Sequence, residues 1–139
     1  MATERQRLAM ILGRAPRVRL VTYEGTSPQA SIHRAVARGE FVFLRVSPND
    51  PLIARIERDH AARVSQATAR GKEVGGNVVA TCSVVSGGID EIVDELMRWK
   101  YGWSIRFDGP GSGRQRKKIV QLSLKPDVAE HDDSPALRD

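Results

Sequence analysis

The 139-residue sequence is poor in cysteine, in aromatic residues and in long apolar runs, and each shortage removes a class of protein. One cysteine, Cys82, excludes an internal disulfide framework and a cysteine-cluster metal site. It stands inside "NVVATCSVV" (77–85), where a lone thiol reads as a small buried hydrophobe rather than a nucleophile. No apolar stretch approaches the ~18 residues of a membrane span. The opening "MATERQRLAMILGRAPRVRL" offers only the patch "LAMIL", short of a signal-peptide core of about 7–15 residues. A cytoplasmic protein is therefore expected. His33, His60 and His131 stand far apart, with no HxH, HExxH or Cys/His spacing to gather a metal. Walker loop, dinucleotide fingerprint and GxSxG elbow are all missing, and "GPGSG" (109–113) sits in the wrong context to be one. No side chain announces catalysis, so an enzyme built on this chain takes its reactivity from a cofactor.

What is present suits one domain over residues 1–126, with 40% hydrophobic residues to fill a core. The formal charge is +5 and the pI near 9.9, which points to an anionic partner, nucleic acid or a phosphate-bearing small molecule, or simply to solubility. "TERQRLAMILG" (3–13) reads as a short helix, capped by Thr3, buried through Leu8, Ile11 and Leu12, and ended by Gly13. "VRLVTYE" (18–24), "QASIHRAVA" (29–37) and "EFVFLRVS" (40–47) read as three strands of an antiparallel meander, with "GTSP" (25–28) a turn. "PNDPLIARIERD" (48–59) changes period. Asn49 or Asp50 can cap a helix of about two turns, with Pro51 in its first turn and Leu52, Ile53 and Ile56 on one side.

"ARVSQATA" (62–69) alternates as a strand, and "NVVATCSVV" is apolar enough for a central strand covered on both faces. "SGGIDEIVDELMRWKYG" (86–102) is the clearest helix. Its first half is acidic (Asp90, Glu91, Asp94, Glu95) and its last turn basic (Arg98, Lys100), as the helix dipole favours. Ile89, Ile92, Val93, Leu96 and Met97 form its apolar stripe, and Gly102 is a natural stop. "IVQLSLKP" (119–126) alternates with Val120, Leu122 and Leu124 on one face. Beyond Pro126 the polar composition predicts a disordered tail over 127–139. About six short strands with few helices favour a mainly β protein, a small barrel.

Three clusters invite a functional reading. In "MRWKYGW" (97–103), Trp99 stands seven residues beyond Ile92 and extends the apolar stripe toward the core or a subunit interface. Tyr101 and Trp103 leave the helix and are freer to serve a pocket. "RQRKK" (114–118) suits phosphate or an acidic tail, or else the solvated edge of a sheet. His33 alternates with Arg34, so one of the two should point out of the sheet. It is either a general acid or a structural histidine. The carboxylates Asp90, Glu91, Asp94 and Glu95 read as solvated charge on a helix face.

The order of elements adds to this. "VRLVTYEG", a second strand, "GEFVFLRV", the basic helix "LIARIERD", "ARVSQATARGK", "VVATCSVV", the helix ending "KYGW" and "RKKIVQLSLKP" follow one another over about residues 16–126. The arrangement resembles the pyridoxamine 5'-phosphate oxidase-like split-barrel family, especially its deazaflavin-dependent actinobacterial branch. The resemblance implies a six-stranded antiparallel split barrel that forms a homodimer and binds FMN or a deazaflavin (coenzyme F-420) at the dimer interface. It places Arg45, Ser47, Asn49, Arg55 and Arg58 on the phosphate, where Arg offers a bidentate, charge-assisted grip. On the hypothesis of such a cofactor, His33 stands near the ring, Lys100 and Trp103 line the pocket edge, and Arg116 and Lys117 contact an acidic cofactor tail.

Family members start the helix after the third strand with a small hydroxyl residue, glycine and lysine; this chain has Asp50, Pro51 and Leu52. A carboxylate stands where an anion should bind. The expectation is a flavin- or deazaflavin-dependent oxidoreductase. Its alternatives are a split barrel that binds a ligand without redox chemistry, and a small basic barrel that binds nucleic acid.

Overall fold

Alternating side chains and tight turns build the sheet. The computed structural model describes residues 2–102 and 117–126. Its elements are α1 (Glu4–Arg14), β1 (Arg17–Glu24), β2 (Ser27–His33), β3 (Ala35–Arg38), β4 (Phe41–Val46), α2 (Pro51–Arg58), β5 (Ala61–Ala67), β6 (Glu73–Val85), α3 (Ile89–Tyr101) and β7 (Lys118–Leu124). The strands form one antiparallel sheet in the order β2-β1-β5-β6-β7-β4-β3. The described residues form seven strands rather than the expected six, because residues 29–37 do not make one strand. His33 pairs with Val18 of β1, whereas Ala35 pairs with Leu44 of β4. Only Arg34 separates β2 from β3, yet they are the two ends of the strand order. One residue spans at most ~3.6 Å, so the sheet must curl until its two edges approach. The result is a curled half-barrel.

The concave side holds the main core. Val18 and Leu20, Val42 and Leu44, Val64, Cys82, Leu122 and Leu124 point inward from successive strands. Leu52, Ile53 and Ile56 of α2 join them, as their spacing predicts, together with Ala9 and Leu12 of α1. Cys82 is wholly buried, and burial pushes its thiol up to about 12, so no thiolate forms at neutral pH.

A second cluster lies on the other side of the sheet. There α3 lays Val93 and Met97 over Val36, Phe43 and Ile119. Trp99 does not continue this seam. It stands about 200° around the helix from Met97, and it is 81% exposed. Strand β6 is central by pairing, but it is fully covered on one face and only partly on the other, where Val85 packs against the α3 cluster. Ala80 and Cys82 are buried, while Thr81 and Ser83 are half-buried on the opposite face. The hydroxyls inside the apolar run mark that wetter side.

Helix α1 departs from expectation at two points. Thr3 caps it in a reciprocal box with Gln6, but Ile11 is 40% exposed and the buried positions are Ala9 and Leu12. Gly13 does not end it; the helix runs to Arg14. Gly13 faces β3 instead, where an added Cβ would lie 2.5 Å from Ala37 Cβ and 3.0 Å from its backbone N. Backbone on both sides leaves little room to yield. Gly13→Ala is expected to destabilise by about 1–3 kcal/mol through overpacking, although alanine is the better helix former. Thermal melting checks this: an unchanged midpoint contradicts the close approach. Among the described residues no helix is long and apolar enough to cross a membrane.

Candidate functional site

The loop from β4 into α2 is where an anion was expected, and the chain fills that place itself. Asp50 caps α2, its Oδ1 accepting from Leu52 N at 2.9 Å. The carboxylate thus takes a free N–H and the positive end of the helix dipole. Ser47 shapes the turn: its carbonyl accepts from Asp50 N and its hydroxyl from Asn49 N. Arg55 Nε donates to Thr22 Oγ1 at 3.0 Å, and Arg58 pairs with Glu24 at 2.6 Å. Both arginines tie α2 to β1.

Lys100 also has a structural engagement. Its Nζ donates to the carbonyls of Gly13, Ala15 and Ala35, each at 2.6 Å. Three protons meet three acceptors, leaving none for a ligand. Two of those carbonyls belong to the last turn of α1 and its cap, so Lys100 serves the C-terminus of the first helix more directly than its own. Burial pulls its pKa down to about 8, while the carbonyls favour the charged form; at pH 7 it is an ammonium. Beside it, Tyr101 Oη donates to Pro16 O at 2.7 Å and accepts from Ala35 N at 3.0 Å. Lys100 and Tyr101 therefore lock together the end of α1, the approach to β1 and the start of β3. Tyr101→Phe orphans the Ala35 N–H and is expected to lower stability by about 1–3 kcal/mol in chemical denaturation. A neutral result means that water replaces the hydroxyl.

A different place collects charge. Where the edges of the curled sheet approach under α3, Arg17, Arg34, Arg45 and Lys117 line a pocket of about 260 Å³, with His33, Ile32 and Met97. Three expected residues, His33, Arg45 and Lys117, are brought together here; Arg55, Arg58 and Lys100 do not line it. Trp103 and Arg116 lie outside the described residues. Arg17 and Arg34 were missed. The break between β2 and β3 lets His33 and Arg34 line the same pocket, where strict alternation would have separated them.

The electrostatics are one-sided. Among the described residues that line the pocket there are four permanent cations and no carboxylate. Asp94 of α3 reaches Arg45 from outside the lining, Arg45 Nη1 donating to its Oδ1 at 3.0 Å. Arg17 Nε donates to Ala69 O, and the Arg34 guanidinium lies 5.2 Å from the Tyr101 ring centre. His33 Nε2 is 2.7 Å from Ser31 Oγ. Burial lowers the His33 pKa, Asp50 opposing and Arg55 assisting, so the ring is neutral at pH 7. Its Nδ1 lies outside the Ser31 bond. Such a pocket suits the anionic head of a small molecule, through charge-assisted hydrogen bonds.

No protein-family model and no curated protein matches the sequence. Solved structures do match in fold. One, from Listeria innocua, is assigned as a pyridoxamine 5'-phosphate oxidase; it is 15% identical, with a TM-score of 0.63 over 88% of this chain and 94% of that one. HutZ, the haem storage protein of Vibrio cholerae, is 16% identical, with a TM-score of 0.65 over 90% of this chain and 92% of its own. A haem-binding protein of Mycobacterium smegmatis is 11% identical, with a TM-score of 0.62 over 90% of this chain and 52% of its own. At these identities the likeness is one of fold. The chain has the split-barrel architecture of pyridoxamine 5'-phosphate oxidase-like proteins, a fold that carries haem-binding proteins as well.

Proposed function

We propose that this protein is a ligand-binding split barrel that holds a flat, anionic cofactor, a flavin or a haem-type group, by its charged head. The observation that carries the reading is the cationic pocket, four permanent charges facing one shared space. A flavin phosphate and a haem propionate are both anions that arginine and lysine would grip there. The α2 N-terminus fits such a group poorly, because Asp50 already sits on it.

Size sets the next step. Pockets that bury a whole small molecule span about 300–1,000 Å³, and this one measures about 260 Å³. It holds a head group, and the rest of the ligand lies outside it against a second copy of the chain. The protein is then a homodimer, and its free Cys82 is at home in the reducing cytoplasm. The neutral His33 ring, with Nδ1 outside the Ser31 bond, would meet the polar edge of the ligand.

A second reading is a flavin- or deazaflavin-dependent oxidoreductase, favoured by the likeness to the Listeria protein. There the bound cofactor supplies hydride transfer, and the side chains bind and orient it. Purified protein titrated with FMN, the deazaflavin and haemin, followed by absorbance and fluorescence, tests both. Micromolar binding of one cofactor is expected. Binding of none overturns the proposal, and reduction of a bound flavin by a hydride donor turns it into the second reading.

A further inference from the structure

Asp94 is read from sequence as one of four solvated carboxylates, but its position separates it from the others. It is 3.0 Å from the Nη1 of Arg45, whose side chain is only 13% exposed, while Asp94 itself is 43% exposed. An enclosed guanidinium is costly without a counter-charge. Asp94 supplies one. The contact engages a single nitrogen, although an arginine fork can bind a carboxylate through two. Asp94 is not part of the pocket lining; it stands one helical turn before Met97, which is.

We infer that Asp94 is an internal competitor for the ligand's anionic head, occupying Arg45 until an anion takes its place. The inference rests on the reading of this pocket as an anion site. Asp94 then sets affinity from outside the grip. A ligand must overcome both the Arg45–Asp94 bond and the repulsion from a carboxylate of the same sign. The pocket consequently favours anions of higher charge, a phosphate over a single propionate.

Inorganic pyrophosphate is the probe, with its dissociation constant measured calorimetrically at fixed ionic strength. Asp94→Asn is expected to bind about three- to tenfold tighter than the wild type, the effect of one charge a few ångströms away in a watery dielectric. In an Arg45→Gln background the same substitution is expected to give less than about twofold, because the competition acts through Arg45. A gain of equal size in both backgrounds overturns the inference in favour of a general charge effect. Weaker binding by Asp94→Asn also overturns it, making Asp94 a residue that positions Arg45. If the wild type binds no pyrophosphate, the pocket reading itself fails, and that is settled before any variant is made. Circular dichroism confirms that all three variants are folded.

Discussion

Replacing Lys100 with Met is expected to lower the melting temperature by about 10 °C or more. Hydrogen bonds from a charged group contribute about 1.5–3 kcal/mol each, and buried acceptors left without donors add a penalty. Lys100 is half-buried and its three bonds are not independent, so a total of about 3–5 kcal/mol is the reasonable sum. That is a large share of the ~5–15 kcal/mol that stabilises a typical domain. The effect carries a pH signature. Burial holds the folded pKa at about 8, against 10.5 for a free lysine. Below both values the folded and unfolded chains each keep the proton, and the gap between wild type and variant is flat. Between them the unfolded chain still binds a proton that the folded protein has released. Wild-type stability therefore rises relative to the variant as pH climbs from about 8 to 10.5. Denaturant unfolding of both proteins at pH 7 and pH 10 reads this out. A gap that narrows with pH means that the three carbonyls, not burial, dominate the ammonium.

The second large effect concerns binding. Arg45→Gln combined with Lys117→Gln is expected to weaken affinity for the cofactor head by about 100-fold or more, since each charge-assisted bond contributes about 1.5–3 kcal/mol. The salt dependence of binding should also flatten, because fewer charges remain to be screened. Arg55→Gln and Arg58→Gln are the contrast. Their guanidiniums are engaged by Thr22 and Glu24, so affinity should change little while stability falls modestly. The reverse pattern, with strong loss of binding at Arg55 and none at Arg45, returns the anion to the start of α2.

Local chemistry made much of the fold legible. Asp50 and Pro51 announce the start of α2, Gly102 stops α3, and the alternation of Val120, Leu122 and Leu124 gives the inward face of β7. The architecture followed from the order of these elements. The misreadings share a physical origin, a partner far away in sequence. Nothing within residues 29–37 records that His33 pairs toward one sheet edge and Ala35 toward the other. Trp99 fits an apolar stripe by its spacing, but the sheet beneath α3 is contacted through Val93 and Met97, and its ring falls outside. The pocket was half visible. Arg45 came from a resemblance of element order, Lys117 from a basic cluster and His33 from its place in a strand, whereas Arg17 and Arg34 join them only when the sheet curls. Lys100 was noticed for its charge, yet its acceptors lie 65 to 87 residues earlier in the chain.

The strand order has a consequence for how the chain is made. The β3–β4 hairpin is joined to the rest of the sheet only through β7, the last strand described, which lies between β4 and β6. On a ribosome the hairpin must therefore wait, its "FVFL" edge unpaired, until residues 118–124 have emerged. Folding that depends on such distant pairing is slow, and an exposed apolar edge is an aggregation hazard in the interval. Ribosome-bound chains ending before residue 118 should be protease-sensitive and in need of chaperones, and maturation should come as a late, all-at-once event.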